Sequence, residues 1–89
     1  MRCQAITILN RLGLHARAAA KFVSLASEFE SEITLTRDGK RVNGKSIMGI
    51  MMLAAGRHVV LELRIDGADE EQAMAKLSAL VIERFGEDE

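Results

Sequence analysis

The pattern that most constrains the fold of this chain is an alternation of side chains between Val59 and Ile65. The apolar positions are Val59, Leu61, Leu63 and Ile65, and they alternate with Val60, Glu62 and Arg64. A period of two residues places the two sets on opposite faces of a strand. The pattern therefore predicts a strand that buries one face, so that other elements must cover that side of its sheet.

Three further segments are predicted to be strands. The first strand is expected between Met1 and Leu9, and the second between Ile33 and Thr36. Asp38-Gly39 is a strong signal for a hairpin turn, here formed by residues 37–40. Arg41-Val42 then begins the short strand that returns from the turn.

The first predicted helix runs from Ala16 to about Phe29, where a run of alanines favours the helical conformation. Phe22, Ala26 and Phe29 recur at helical spacing and form a candidate core stripe.

Two more helices are predicted from capping signals. Ser46 can cap a short helix from Ile47 to about Leu53. Asp69 is expected to cap a third helix, with Gln72 in the capping-box position. The candidate buried stripe of that helix consists of Ala73, Leu77 and Leu80.

The resulting order of elements is β-α-β-β-α-β-α, which indicates the α+β class. We expect four strands in a mostly antiparallel sheet, with the helices covering one face. Periodicity alone leaves the order of the strands in the sheet open. The chain has 89 residues, no proline and no linker-like segment, so a single domain over residues 1–89 is expected.

Composition weakens the case for several other classes of function. The net charge of −1 gives no electrostatic reason to expect binding to nucleic acid or to a membrane. One cysteine and two histidines form neither an internal disulfide nor a closed zinc site, so no metal or cofactor is expected. Neither a signal peptide nor a transmembrane segment is recognisable, and the cytoplasm is the expected location.

The segment Gly13-Leu14-His15-Ala16-Arg17 carries the chemistry of the chain. His15 precedes the first predicted helix, whose first turn offers unpaired N–H groups and the positive end of the helix dipole. An imidazole is a nucleophile near neutral pH, and the Arg17 guanidinium can bind phosphate oxygens in a bidentate manner. We therefore interpret His15 as a transiently phosphorylated residue and Arg17 as its phosphate contact.

Residues 39–46 formally match the phosphate-binding loop pattern G-x-x-x-x-G-K-S. Such a loop must follow a strand of a parallel sheet and precede a long helix. Here the first glycine, Gly39, lies in the predicted hairpin turn, so nucleotide binding is rejected. Lys45 and Ser46 keep simpler roles, as a loop cation and a helix cap.

Taken together, the two motifs resemble those of the HPr family, the phosphocarriers of the bacterial phosphotransferase system, including its nitrogen-related branch. The motifs are Gly13–Arg17 and Val42–Met51, and the resemblance covers the chain from the first strand to Phe85. It implies an open-faced β-sandwich with three helices on one side of a four-stranded sheet. It also implies a monomeric carrier, which serves phosphotransferases as a co-substrate and is not itself an enzyme.

The resemblance assigns roles to particular residues. His15 would accept a phosphoryl group from enzyme I and pass it to a IIA domain, with Arg17 contacting the phosphate. Ser46 would be the target of an HPr kinase/phosphorylase. The surface that docks partners would comprise Ala16, Ala20, Ile47, Met48 and Met51.

The chain departs from the family pattern at the first helix, where Ala18 replaces the usual proline and Lys21 is the main basic residue. Ala18 restores a backbone N–H to the first turn. Two alternatives remain open from the sequence. One is an α+β binding module, for RNA or protein, in which His15 is replaceable. The other is a regulator that keeps Ser46 phosphorylation without transfer through His15.

Overall fold

Four antiparallel strands form one sheet in the computed structural model, which describes residues 1–89. The strands are β1 (Arg2–Thr7), β2 (Glu32–Arg37), β3 (Lys40–Asn43) and β4 (Val60–Asp66). Their order is β1-β4-β2-β3, and each neighbouring pair is antiparallel. The strand predicted from alternation, β4, is therefore central, and Leu61, Leu63 and Ile65 are each no more than 1% exposed.

Three helices complete the open-faced sandwich: α1 (Ala16–Ala26), α2 (Ile47–Met51) and α3 (Glu70–Ile82). A short 3₁₀ turn, Arg84–Gly86, follows α3 and was not predicted. The predicted stripe of α1 is confirmed, because Phe22, Ala26 and Phe29 are all buried. The longest helix has 13 residues, and none has both the length and the apolar character to cross a bilayer.

The predicted hairpin turn between β2 and β3 is confirmed. Asp38 and Gly39 both adopt left-handed backbone conformations, with φ of 49° and 83°. Two successive positive φ values match the twist of a tight hairpin, which explains the Asp-Gly pair. The turn pairs Arg37 with Lys40 and fixes the register of the two strands.

Several predicted element boundaries were too wide. Strand β1 ends at Thr7 and not at Leu9, although Ile8 still accepts a hydrogen bond from the His58 N–H over 2.6 Å. Helix α1 ends at Ala26, and a tighter turn through residues 27–29 carries Phe29 into the core. Helix α2 ends at Met51, two residues before the predicted end at Leu53.

The predicted capping of α3 by the Asp69 side chain is wrong. Asp69 occupies the N-cap position but makes no side-chain bond to the helix. Its carboxylate instead accepts hydrogen bonds from the backbone N–H groups of Glu30 and Ser31, over 2.9 and 3.1 Å. The predicted capping box is absent too, since no hydrogen bond joins Gln72 to Asp69, and the Glu70 carboxylate instead accepts the Gly67 N–H. Asp69 therefore ties α3 to the segment that leads into β2.

The predicted stripe of α3 is partly corrected. Ala73 and Leu77 are fully buried as expected, whereas Leu80 only packs at the edge of the core. Met74 and Val81 supply the remaining buried positions. The helix therefore rests on the sheet through a stripe shifted by one residue at its C-terminal end.

Candidate functional site

His15 is the N-cap residue of α1. Its backbone is extended, with φ −71° and ψ 177°, and its carbonyl accepts the Ala19 N–H over 2.9 Å. The N–H groups of residues 16–18 precede the first intrahelical bond and therefore remain available as donors. No acidic side chain lies in this first turn to compete for them.

Gly13 fixes the loop that presents His15. It has φ +67°, and a Cβ at this position would lie 2.5 Å from the Ala55 carbonyl oxygen. The neighbouring Leu14 N–H donates to the same carbonyl over 2.9 Å. The loop is thus held against the segment that follows α2, and only glycine fits there.

Arg17 is exposed and lines the same open pocket as His15, together with Arg11. None of the ion pairs within the chain involves Arg17. The structure therefore brings the two predicted site residues together and leaves the guanidinium unpaired beside a helix N-terminus.

A carboxylate that sequence reasoning missed completes the pocket. Glu87 Oε2 lies 2.5 Å from His15 Nε2, and Glu87 Oε1 accepts a hydrogen bond from Asn10 Nδ2 over 3.0 Å. Desolvation raises the pKa of Glu87. Hydrogen bonds from Asn10 and His15 lower it, as do the charges of His15 and Lys21, and these effects together outweigh desolvation, so the pKa lies below its usual value. Glu87 is therefore ionised at neutral pH.

Residues 84–89, here called the C-terminal strap, bring Glu87 to His15. Arg84 and Phe85 are both left-handed, with φ of 58° and 54°, so the chain reverses after α3. Phe85 is buried at 1% exposure, and its carbonyl accepts a hydrogen bond from the Lys21 ammonium over 2.6 Å. The Arg11 N–H donates to the Glu89 carbonyl over 2.7 Å. Lys21, the main basic residue of α1, thus anchors the strap.

Ser46 caps α2 as predicted. Its hydroxyl oxygen accepts the Gly49 N–H over 3.0 Å, and the side chain is partly exposed. The other end of α2 is held by the hairpin, because Arg37 donates to the carbonyls of Leu53 and Ala54, both over 2.8 Å. A helix of only five residues is therefore fixed at both ends by side chains.

Three apolar side chains of α2 are exposed, as expected, whereas its fourth, Ile50, is buried in the core. Met48 is 74% exposed, and Ile47 and Met51 are 41% and 42% exposed. On α1, Ala16 is exposed and Ala20 is half-buried. Because α1 and α2 pack against each other, these residues lie on neighbouring elements, and Met52 extends the apolar surface. These three methionines therefore lie on the surface and do not fill the core.

Residues 39–46, His58 and Cys3 take ordinary structural positions. Residues 39–46 form the hairpin turn, β3 and a loop, and Lys45 donates to the Phe29 carbonyl over 2.6 Å, so the phosphate-loop match is structurally false. His58 is exposed in a turn, and Cys3 is an exposed strand residue. No cluster of histidine, cysteine and carboxylate side chains has the composition of a metal site.

A histidine at a helix N-terminus, with an unpaired arginine beside it, has the chemistry to carry a phosphoryl group, as a small phosphocarrier protein does. The family model described as "PTS HPr component phosphorylation site" matches residues 3–83. The chain belongs to the HPr family, the phosphocarriers of the bacterial phosphotransferase system.

The similarity extends over nearly the whole chain. The phosphocarrier protein HPr of Neisseria meningitidis serogroup A is 57% identical over 86 residues, 97% of both chains. The crystal structure of HPr-C-His from Thermoanaerobacter tengcongensis is 47% identical, with a TM-score of 0.96 and full coverage of both chains. An HPr dimer from the same organism is 48% identical, with a TM-score of 0.79 and coverage of 98% and 100%.

Proposed function

We propose that His15 is the residue that carries the phosphoryl group, which it accepts from an enzyme I-type phosphotransferase and passes to a IIA domain. The observation that carries this proposal is the position of His15 at the N-cap of α1, with its side chain 28% exposed. A phosphoryl group on this side chain would lie near the unpaired N–H groups of the first turn. Arg17 would bind the phosphoryl oxygens.

The arrangement suits a carrier because it holds an anion without trapping it. One guanidinium and one helix terminus provide a modest attraction for the phosphoryl group. Partner enzymes supply the remaining catalytic groups, so the chain acts as a co-substrate. We further propose that it acts as a single domain, as a monomer and in the cytoplasm.

The docking surface of this proposal comprises Ala16, Ala20, Ile47, Met48 and Met51. Exposed methionines are flexible and polarisable, so one surface can adapt to an enzyme I and to a IIA domain in turn. Its position beside His15 would place a docked partner's reactive group near the imidazole.

A regulatory role for Ser46 is the second part of the proposal. Its hydroxyl already lies at the N-terminus of α2, so a phosphate there would be tolerated by the fold. The new charge would lie beside Ile47 and Met48 and would weaken the approach of acidic partners. An HPr kinase/phosphorylase is the proposed source of this modification.

Incubation with the cognate enzyme I and labelled phosphoenolpyruvate tests the proposal. We expect acid-labile, alkali-stable label on the wild type and none on His15→Ala, with unchanged thermal unfolding. His58→Asn is the matched control, because it removes the other imidazole from an exposed turn. Equal labelling of His15→Ala and wild type would contradict the assignment of His15, and absence of label on both proteins would favour the adaptor or regulator alternatives.

A further inference from the structure

Three methionines share one face of α2 and of the turn that ends it. Met48, Met51 and Met52 occupy positions i, i+3 and i+4, so their side chains are neighbours on the helix surface. Met52 keeps a right-handed helical backbone, and its N–H donates to the Met48 carbonyl over 3.0 Å. Ile50 lies on the opposite face and is fully buried, which leaves the methionine face to solvent.

The methionines of this chain divide by burial. Met48 and Met52 are 74% and 61% exposed, and Met51 is 42% exposed. Met74, in contrast, belongs to the core and is 8% exposed. Met1 is exposed too, but it lies at the start of the chain, where its ammonium pairs with carboxylates next to α3. Three of the four exposed thioethers are therefore gathered on one short helix.

A thioether is open to reversible oxidation. Its sulfur takes one oxygen atom from a two-electron oxidant such as hydrogen peroxide or hypochlorite, which is reduced to water or chloride. The product, methionine sulfoxide, is uncharged but polar, and its oxygen accepts hydrogen bonds. Methionine sulfoxide reductases restore the thioether with two electrons and two protons from thiols, and the oxygen leaves as water.

Resting on the proposed function, we propose that Met48, Met51 and Met52 form a reversible oxidation site that controls the docking of phosphotransfer partners. Their thioethers belong to the apolar surface beside α1, where flexible and polarisable side chains adapt to a partner. A sulfoxide on this surface would lose its bound water when a partner docks. Because a polar group that is buried without a hydrogen bond costs free energy, oxidation weakens docking while His15 itself is unchanged.

The fold tolerates the oxidised state of α2. The new oxygen atoms would enter solvent, and the helix stays fixed at one end by the Ser46 cap and at the other by Arg37. Oxidation of Met74 would instead place a polar sulfoxide in the core, which the fold does not tolerate. The response of α2 to an oxidant is therefore separable from general oxidative damage.

The test uses the full chain with Cys3→Ser, because the exposed Cys3 thiol reacts with the same oxidants. After treatment with hydrogen peroxide, peptide mass spectrometry should find sulfoxide at Met48, Met51 and Met52 well before Met74. With the cognate enzyme I, we expect the KM of the oxidised carrier to rise about tenfold, with kcat and thermal unfolding close to those of the untreated carrier. The two sulfoxide reductases, one for each epimer, should together restore the KM.

Two further variants locate the effect, each compared with its own untreated sample. The triple variant Met48→Leu, Met51→Leu and Met52→Leu keeps apolar side chains of similar volume but removes every sulfur from this face. Its KM should not change on peroxide treatment. Met74→Leu removes the core thioether alone and should remain as sensitive as the Cys3→Ser parent. The N-terminal methionine is present in every sample, so its oxidation cannot account for a difference.

Three results would overturn this inference: an unchanged KM after oxidation of α2, an equal rise in the triple leucine variant, or unfolding of the oxidised carrier. Each of them leaves the carrier function intact, because the untreated protein is still labelled on His15. Absence of label on the untreated protein would instead overturn the proposed function.

Discussion

Ser31 donates both its hydroxyl and its backbone N–H to the carboxylate of Asp69, over 2.5 and 3.1 Å. The hydrogen bond from the Ser31 hydroxyl lowers the pKa of Asp69 most, and the bond from the Glu30 N–H follows. Desolvation raises the pKa, but these two bonds and the bond from the Ser31 N–H outweigh it, so the pKa is lowered overall. Because the folded-state pKa lies below the unfolded value, the carboxylate stabilises the fold above about pH 4. That contribution is lost as the pH falls through the folded-state pKa.

We therefore expect Asp69→Asn to unfold at a lower temperature than wild type at pH 7, with the difference shrinking at acidic pH. Thermal unfolding between pH 2 and 7 measures this convergence. Asp38→Asn is the matched control, because the Asp38 side chain is 93% exposed and lies in a turn that tolerates asparagine. A stability difference that stays constant across this range would contradict the assigned role of Asp69.

Arg17→Lys should slow phosphotransfer while leaving stability within about 0.5 kcal/mol of wild type. Lysine keeps the positive charge but loses the planar fork that binds two phosphoryl oxygens at once. Rapid-quench kinetics with the cognate enzyme I, alongside denaturant unfolding, would measure both quantities. Unchanged transfer rates would show that Arg17 does not contact the phosphoryl group.

Met48→Glu should raise the KM for enzyme I without a large loss of stability, because the side chain is 74% exposed. Ile82→Glu provides the comparison, since Ile82 is a similarly exposed apolar residue, at 65%, on α3. We expect this second variant to retain wild-type kinetics. Unfolding of Met48→Glu, or equal kinetic effects of the two variants, would remove Met48 from the docking surface.

Ser46→Ala should reduce the free energy of unfolding by about 1 kcal/mol, the usual cost of losing a helix cap. The hydroxyl accepts the Gly49 N–H, which alanine leaves without a partner. Urea unfolding measures the change. Ser46→Thr keeps the hydroxyl and should recover most of the stability, and a loss as large as in the alanine variant would point to packing instead of capping.

Ser46→Asp should slow phosphorylation of His15 mainly through weaker association with enzyme I, with no collapse of the fold. The added charge lies at the N-terminus of α2, which tolerates an anion, but beside the docking residue Met48. Transfer kinetics at varied carrier concentration separate KM from kcat. Protein phosphorylated by a cognate kinase gives the decisive comparison, and wild-type kinetics of that species would contradict regulation through Ser46.

The features that sequence reasoning predicted correctly depend on short-range patterns. The alternation in β4, the Asp38-Gly39 turn and the Ser46 cap each involve neighbouring residues, and all three are present. The partners of Asp69 and Glu87 were missed because Ser31 and His15 lie 38 and 72 positions away along the chain. Asp69 satisfied a local rule for helix capping, yet its carboxylate forms hydrogen bonds with a distant backbone.

At the candidate site, too, the features set by neighbouring residues could be predicted and the contacts between distant residues could not. The proximity of His15 and Arg17 could be predicted because a single motif contains both and helix α1 starts between them. Glu87 belongs to an acidic segment whose composition indicates only a solvated end. The position of Glu87 depends on the chain reversal at Arg84 and Phe85 and on the burial of the Phe85 ring. Neither feature can be predicted from a periodic pattern in the sequence.

The pairing of β1 with β4 has a consequence for the order in which the molecule assembles. Thr7 pairs with Val60, so the strand that leads into the His15 loop finds its partner only after most of the chain has been synthesised. Bringing Thr7 and Val60 together closes a long loop, which costs conformational entropy before the strands form any stabilising contact. Such non-local pairing slows folding. The Gly13–Arg17 motif leaves the ribosome early, but His15 contacts Glu87 only after the turn at Arg84–Gly86 has formed. The complete surroundings of the His15 imidazole thus form only late in folding, after the residues that follow α3 have packed.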